Sequence, residues 1–259
     1  MQPFGGWYDI HMEELLMVPL GQVEDISLVG GKARALSQLI KSGFDVPPGF
    51  VVTAEASQKM SRELEKAILD DFDSLGARQV TVRSSAVAED AKGAAWAGQL
   101  DTFLSIDRSH LLDAVKKCWG SANSPRARAY AKQKGLQTGA VAVVVQVMIP
   151  SEVSGVAFSV HPVTKNRNHM IIEVVRGLAE PLVSGEVTPD SYIIDKKTGQ
   201  VIEIHTKGKK NMLTDKQITE VSDAVKRLEK YFAFPVDVEW TIAQGKLYIL
   251  QSRPVTALG

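Results

Sequence analysis

In "SLVGGKARALSQLIKSG", residues 27–43, a lysine stands behind two glycines at the start of an apolar-periodic segment. A lysine in that setting is the type of group that neutralises nucleotide phosphates. A Walker loop would need four residues between its first glycine and the Gly-Lys pair, then Ser or Thr after the lysine. Ala33 follows Lys32 instead, and none of Ile26, Ser27, Leu28 and Val29 is the missing glycine. Lys32 therefore does not belong to a Walker loop.

A second set of chemically competent residues lies near the other end. In "VDVEWTI", alternation puts Val236, Val238, Trp240 and Ile242 on one face and Asp237, Glu239 and Thr241 on the other. In "LYILQSR", the set Leu247, Ile249, Gln251 and Arg253 shares a face. An odd loop with Gly245 left-handed would bring Glu239 and Gln251 to the same side of the hairpin, whereas a two-residue loop would separate them. A carboxylate and an amide oxygen placed together can hold Mg²⁺, which completes its shell with water and phosphate. Arg253 beside them offers a planar fork to a phosphate edge. The same alternation also describes a half-exposed hairpin with a solvated polar face, and pattern alone leaves both readings open.

The third set is "VRSSAVAEDAKGAAWAGQLDT", residues 82–102, rich in small residues and containing Arg83. Ser84, Ser85, Gly93, Ala94, Ala95, Ala97 and Gly98 would let backbone N–H groups approach an anion. A flexible surface loop reads the same way. Trp96 suits either a cap over the site or a buried anchor.

These residues need a scaffold, and the sequence describes one. Leu36, Leu39 and Ile40 form one face of a helix ended by Gly43, and "VPPGFVVT" reads as a turn and strand. Leu64, Ile68 and Phe72 mark an amphipathic helix, and "QVTVRSS" a strand running into a loop. Leu111, Leu112, Val115 and Trp119 give a helix closed by Gly120. Ser124 and Pro125 are an N-cap and first helical residue. "AVAVVVQVM" lacks polar alternation and reads as a strand buried on both faces. "SGVAFSV", "HMIIEVV" and "DSYIID" are further strands, and residues 214–232 a helix opened by a Thr214–Gln217 capping box. Strands and helices interleave without regular βαβ spacing, which predicts an α+β fold.

Composition narrows the function. Thirty basic residues balance thirty acidic ones, so general attraction to nucleic acid or anionic lipid is not indicated. Cys118 is the only cysteine, which excludes an internal disulfide and suits a reducing cytosol. The acidic N-terminus is not a signal peptide, and the apolar run of residues 140–150 is too short to span a bilayer. A cytoplasmic protein is expected, with no membrane partner.

Four segments, "VGGKARAL", "VRSSAVAEDAKGAAWAGQLDTFL", "GLAEPLVSGEVTPD" and "DVEWTIAQGKLYILQSRP", resemble the N-terminal nucleotide-binding domain of the phosphoenolpyruvate synthase, pyruvate phosphate dikinase and rifampicin phosphotransferase family. The resemblance spans roughly residues 23–256. It implies an ATP-grasp fold: two lobes with mainly antiparallel sheets and flanking helices, and ATP between them. The first lobe is expected over residues 1–184 and the second, with the metal-binding hairpin, over 185–259. By the same resemblance Lys32, Arg83, Arg126 and Arg253 contact the phosphates. Gly98, Gln99 and Thr102 belong to the phosphate loop, and Gln146, Met148 and Ile149 to the strand that carries adenine. Glu180 falls on the ribose-phosphate side, and Glu239 and Gln251 are the Mg²⁺ ligands. Two departures stand out: Ala179 where the family has glycine, and His161 where Asp or Asn is common.

In the family, the terminal two phosphates of ATP pass to a histidine in a Thr-x-His-Ala-type motif on a separate domain, leaving AMP. None of His11, His110, His161, His169 and His205 has that neighbourhood. The expectation is thus the ATP-handling part of a dikinase, an excised domain or one subunit of a split enzyme, that needs a phosphohistidine carrier. The alternatives are a nucleotide sensor that never transfers phosphate and an acyl-phosphate-forming ligase. "KGKKN", residues 207–211, reads as a solvated loop or as a docking patch for an acidic partner.

Overall fold

A computed structural model describes residues 16–86, 100–134, 141–208 and 211–255. In chain order the elements are β1 (Met17–Pro19), α1 (Ile26–Lys41), β2 (Gly49–Val52), α2 (Arg62–Ser74), β3 (Val80–Ala86), β4 (Thr102–Ile106), α3 (Leu111–Ser121), α4 (Pro125–Lys134) and β5 (Val141–Val147). They continue with β6 (Val153–Phe158), β7 (His169–Arg176), α5 (Glu180–Val183), β8 (Asp190–Asp195), β9 (Val201–His205), α6 (Asp215–Phe232), β10 (Val236–Ala243) and β11 (Lys246–Pro254). Every described strand pair is antiparallel, so the α+β expectation holds.

The chain divides into two compact units, residues 1–37 with 48–148, and 38–47 with 149–259. The boundary expected between residues 184 and 185 is therefore wrong. It falls at Met148/Ile149, because β6 and β7 hydrogen-bond to β10 and β8 and cannot be separated from them. The first unit holds a five-stranded sheet in the order β1-β2-β5-β3-β4. Its core is one face of that sheet, Phe50, Val52, Val80, Val82, Val143 and Val145, packed by Leu64, Ile68 and Phe72 of α2 and by Leu111, Val115 and Cys118 of α3. The apolar stripes read from sequence at i, i+4 and i+8 on α2 are thus its buried face. Burial pushes the Cys118 thiol up to about 11, so it is a core side chain and not a reactive thiol.

The second unit holds a six-stranded sheet in the order β11-β10-β6-β7-β8-β9. Its helix α6 begins with the complete Thr214–Gln217 capping box and buries Ile218, Val221, Val225 and Leu228. Trp240, fully buried, lies where Gly155 leaves room: a Cβ at Gly155 would stand 2.8 Å from the indole and 1.8 Å from the Glu173 carbonyl.

His161 replaces the family's Asp or Asn without loss of the turn. Its Nδ1 accepts from the N–H groups of Val163 and Thr164 at 3.3 and 3.2 Å, the contacts a short carboxamide or carboxylate would make. Ala179 likewise sits at φ −78°, ψ −9°, where glycine is not needed.

Two glycines at positive φ separate backbone strain from steric contact. Gly30 (φ +75°) would place a Cβ 2.5–2.7 Å from Ser85 and Ala86 oxygens, whereas Gly43 (φ +74°) faces nothing within 4 Å. Gly43→Ala is expected to cost about 1–2 kcal/mol from the left-handed backbone. Gly30→Ala should cost about 2–4 kcal/mol, since the clash adds to that strain. Urea denaturation of the two variants measures the difference.

Candidate functional site

The role of the glycine pair before Lys32 is visible in the first unit. Gly30 has non-helical angles (φ 75°, ψ 171°) and interrupts α1, so the helix restarts with Gly31 and Lys32 in its first turn. The absent side chain lets α1 meet β3 backbone to backbone. Ala33 N–H then donates to Ser85 Oγ at 3.1 Å, and Lys32 Nζ to the Ser84 carbonyl at 2.7 Å. The lysine is held against β3 by this partly buried contact.

The serines are not an anion-binding loop, as their small size suggested. The strand β3 continues through both of them to Ala86, and both are fully buried. Ser84 Oγ bonds to the Asp101 carbonyl at 3.0 Å and to Ser121 Oγ at 3.1 Å, tying β4 and α3 to β3. Strand alternation then sets what the other face carries. Arg83 is the register partner of Thr102 on β4 and Val144 on β5, and Thr81 of Gln146. Arg83, Thr102 and Gln146 therefore share the face that Ser85 turns toward α1, opposite the apolar core. The first unit thus brings Lys32, Arg83, Thr102 and Gln146 to one side of its sheet.

Arg126 is exposed in the first turn of α4, where Ser124 Oγ accepts from Ala127 N–H at 3.1 Å as the predicted N-cap. Its guanidinium pairs with Asp101 at 3.2 Å, next to Thr102. Such an exposed pair contributes little to stability and is readily exchanged for an anion. Met148 ends the unit with its own N–H bonded to the Gln79 carbonyl at 3.0 Å, and Val147 N–H is bonded to the Pro48 carbonyl. Those two N–H groups are committed, so a base edge here would have to meet Ile149 or the carbonyls. Gly98 and Gln99 lie outside the described residues, as does Trp96.

The second unit places the terminal strands, by a route the alternation argument did not foresee. The hairpin loop is two residues, Gln244 (φ 51°) and Gly245 (φ 70°), both left-handed. A tight turn of this kind should have put Glu239 and Gln251 on opposite faces. The ladder pairs Trp240 with Ile249 but Glu239 with Gln251, so Leu250 is one residue in excess. This bulge flips the parity of β11 between Ile249 and Gln251. Leu247 and Ile249 consequently join Trp240 and Ile242, while Gln251 and Arg253 join Glu239 and Asp237. The four-residue face predicted for β11 is thus split in two, and the Glu239–Gln251 pair is direct.

One residue pair further along, Asp237 stands opposite Arg253, with Arg253 Nε donating to Asp237 Oδ2 at 2.8 Å. The Asp237 side chain is only 9% exposed and its Oδ1 has no hydrogen-bond partner. Burial raises its carboxyl above the usual range, Arg253 pulls it back down, and Glu239 pushes it up. Across β6, the residue after next in the same row is Glu173 (Glu239↔Val156↔Glu173), raised by burial and by Asp237. Neither Asp237 nor Glu173 was singled out by sequence. For Asp237 the signal was present, since Asp-x-Glu on one strand face puts two carboxylates side by side. Glu180 is not on this row; it is exposed at the first position of α5.

The sequence profile of the pyruvate phosphate dikinase AMP/ATP-binding domain matches residues 56–213 and 203–259. The chain belongs to this family. Relatives include "Probable phosphoenolpyruvate synthase" of Methanocaldococcus jannaschii, 32% identical over 91% of this chain and 26% of its own length. "Phosphoenolpyruvate synthase" of Pyrococcus furiosus is 32% identical over 90% of this chain and 42% of its own. "Uncharacterized phosphotransferase YvkC" of Bacillus subtilis is 33% identical over 91% and 34%. The chain thus spans well under half the length of these relatives. Family membership makes it an AMP/ATP-binding domain of the dikinase type. Among the described residues no helix is long and apolar enough to cross a membrane.

The Asp237–Arg253 pair predicts a pH-dependent defect. A carboxyl whose folded value is raised contributes stability below its unfolded value, near pH 4, and that contribution is lost as pH rises through the folded value. Removing Arg253 takes away the one influence that lowers Asp237 toward normal. Arg253→Ala should therefore cost about 1–3 kcal/mol at pH 7, less than a fully buried pair because Arg253 is itself over a third exposed. The deficit should shrink as pH falls toward 4, because the stranded carboxylate can then take a proton. Denaturant titrations of wild type and variant at several pH values measure it, and Asp237→Asn in the Arg253→Ala background should recover part of the loss at pH 7.

Proposed function

We propose that the chain binds Mg-ATP as the nucleotide-handling part of a dikinase-type phosphotransferase, its two units being ATP-grasp lobes. In this reading the β,γ-diphosphoryl group passes to a histidine on a separate domain or subunit, AMP remains, and release of the γ-phosphate to water or inorganic phosphate leaves phosphohistidine. The observation that carries it is the register of the last two strands, with Glu239 and Gln251 directly paired and Arg253 next to them.

The donor set fits a hard cation. A carboxylate and an amide oxygen share one face, and the orphaned Oδ1 of Asp237 shows that this face carries more oxygen donors than the chain itself satisfies. Glu239 and Gln251 would hold Mg²⁺, which when bound screens charge on phosphate oxygens. The chain's own cations do the rest by positioning and neutralisation, the main demand of phosphoryl transfer. Lys32, Arg83 and Arg126 from the first unit and Arg253 from the second take phosphate oxygens. The Asp237 contact engages Nε of Arg253 and so orients the guanidinium, whose terminal nitrogens would offer a planar edge to phosphate. Thr102, Gln146, Met148, Ile149 and Glu180 take the nucleoside and ribose-phosphate side.

Support for a separate carrier comes from the described histidines, three of which have local partners of their own. His110 Nδ1 bonds to Asp107 at 2.7 Å, part of a cluster in which Ser109 first and His110 second hold that carboxyl down to about 2. His161 caps its turn, and His205 pairs with Glu203. His110 also precedes α3, which packs the sheet face opposite Arg83.

Mixing the chain with an isolated carrier domain that holds the family histidine, then adding Mg-ATP, should give AMP and phosphohistidine in equal amounts. Chromatography of nucleotides measures the first and phosphorus NMR the second. Tight Mg-ATP binding with no AMP from any such carrier would favour a sensor instead. By calorimetry with a nonhydrolysable ATP analogue, Arg253→Ala should lose about 1.5–3 kcal/mol of affinity, the value of a charge-assisted contact. Glu239→Gln should weaken binding in Mg²⁺ far more than in its absence.

A further inference from the structure

The six-stranded sheet of the second unit treats its two edges differently. At β11 the edge is covered by the short segment contributed from early in the chain. Ile249 N–H donates to the Asp45 carbonyl at 2.8 Å, and Lys246 pairs with the Asp45 carboxylate at 2.6 Å. At the other end β9 pairs only with β8, and among the described residues nothing covers its outer side. Two large apolar side chains sit on that open strand, Ile202 at 51% and Ile204 at 44% exposure. An uncovered edge with exposed isoleucines is a template for another strand. The register shift opposite Ile193/Ile194 makes Ile202 the extra residue, and the kink confines regular pairing to Glu203 and the residues after it.

We propose that this edge pairs antiparallel with the same edge of a second copy, about a two-fold axis through Ile204. An isologous contact must be complementary to itself. Centred on Ile204, the strand meets that test. Ile204 faces Ile204 of the partner subunit, and Glu203 faces His205 of the partner subunit. Within the chain Glu203 already holds His205 Nε2 at 2.9 Å, both projecting from the face opposite Ile204. Two copies would therefore close a ring of alternating Glu and His on one face and an apolar pair on the other. Shifting the axis to Glu203 would set Glu203 against Glu203, and like charges directly opposite are disfavoured, whereas shifting it to His205 would set Ile204 against Thr206 and give up the apolar pair. The next pair outward, Ile202 with Thr206, carries no charge. The Glu–His pairs together with the Ile204 pair thus select this register.

An interface of so few residues falls at the weak end, below about 1,200 Å² in total, and association is expected only near about 100 µM. None of its residues belongs to the nucleotide reading, so each idea stands or falls without the other. Sedimentation velocity of the chain from roughly 5 to 500 µM should show a reversible monomer–dimer equilibrium. Ile204→Lys should weaken it at least about tenfold, and Glu203→Lys should weaken it as well. The double charge swap, Glu203→Lys with His205→Glu, should restore the wild-type constant to within about threefold, which only a self-complementary register explains. Calorimetric Mg-ATP binding and circular dichroism unchanged in each variant would establish that all are folded. A monomer at every concentration overturns the proposal, and so does a dimer indifferent to Ile204→Lys and Glu203→Lys. Failure of the charge swap to restore a dimer weakened by Glu203→Lys overturns the register.

Discussion

A single extra residue, Leu250, decides which side chains of the terminal hairpin share a face. Because side chains alternate with a period of two, any two-residue turn commits every facing pair from the loop outward. Without the bulge, Gln251 and Arg253 would lie with Trp240 beneath α6, where an arginine and a primary amide would be buried without partners. With it, Ile249 still fills the α6 face and Gln251 and Arg253 emerge on the side of Glu239 and Asp237. Local strand irregularity is thereby traded for a polar row built on a rigid sheet. A site on sheet strands holds its side chains more closely than a loop would.

The polar row is also where the fold carries its unfavourable electrostatics. Asp237, Glu239 and Glu173 share one sheet face, and burial raises two of the three carboxyls. Arg253 is the one basic group that the described contacts bring to Asp237, and a buried carboxylate with a spare oxygen is costly to keep. A cation arriving with a nucleotide would relieve that cost.

In the first unit the equivalent constraint is distance. Lys32 reaches the Ser84 carbonyl only because Gly30 has no side chain and a left-handed backbone, so α1 can lie against β3. The serines then serve packing, and Arg83, just before them on the same strand, is left on the face that Ser85 turns toward α1, opposite the core valines. The motif that resembled an anion loop is in this respect a docking joint for a helix.

Much of this was legible in the chain. The apolar stripes of α2 and α6, the Thr214 capping box, the Ser124 N-cap and the run of buried valines in β5 all depend on neighbours within a turn or along one strand, so spacing alone determined them. Residue types also named the candidates: a lysine, several arginines, a glutamate and a glutamine. What spacing could not supply was parity and partnership across strands. Whether Glu239 meets Gln251 depended on where one residue was expelled from a ladder, and Ser84 and Ser85 changed from loop to core through contacts 17 to 52 positions away. Domain limits followed the same rule, since β6 belongs with β10 through hydrogen bonds that no local pattern records. Sequence set the local conformations because those are short-range energies; the tertiary structure chose the pairings because hydrogen bonds and burial between distant segments are satisfied only once the whole sheet is assembled.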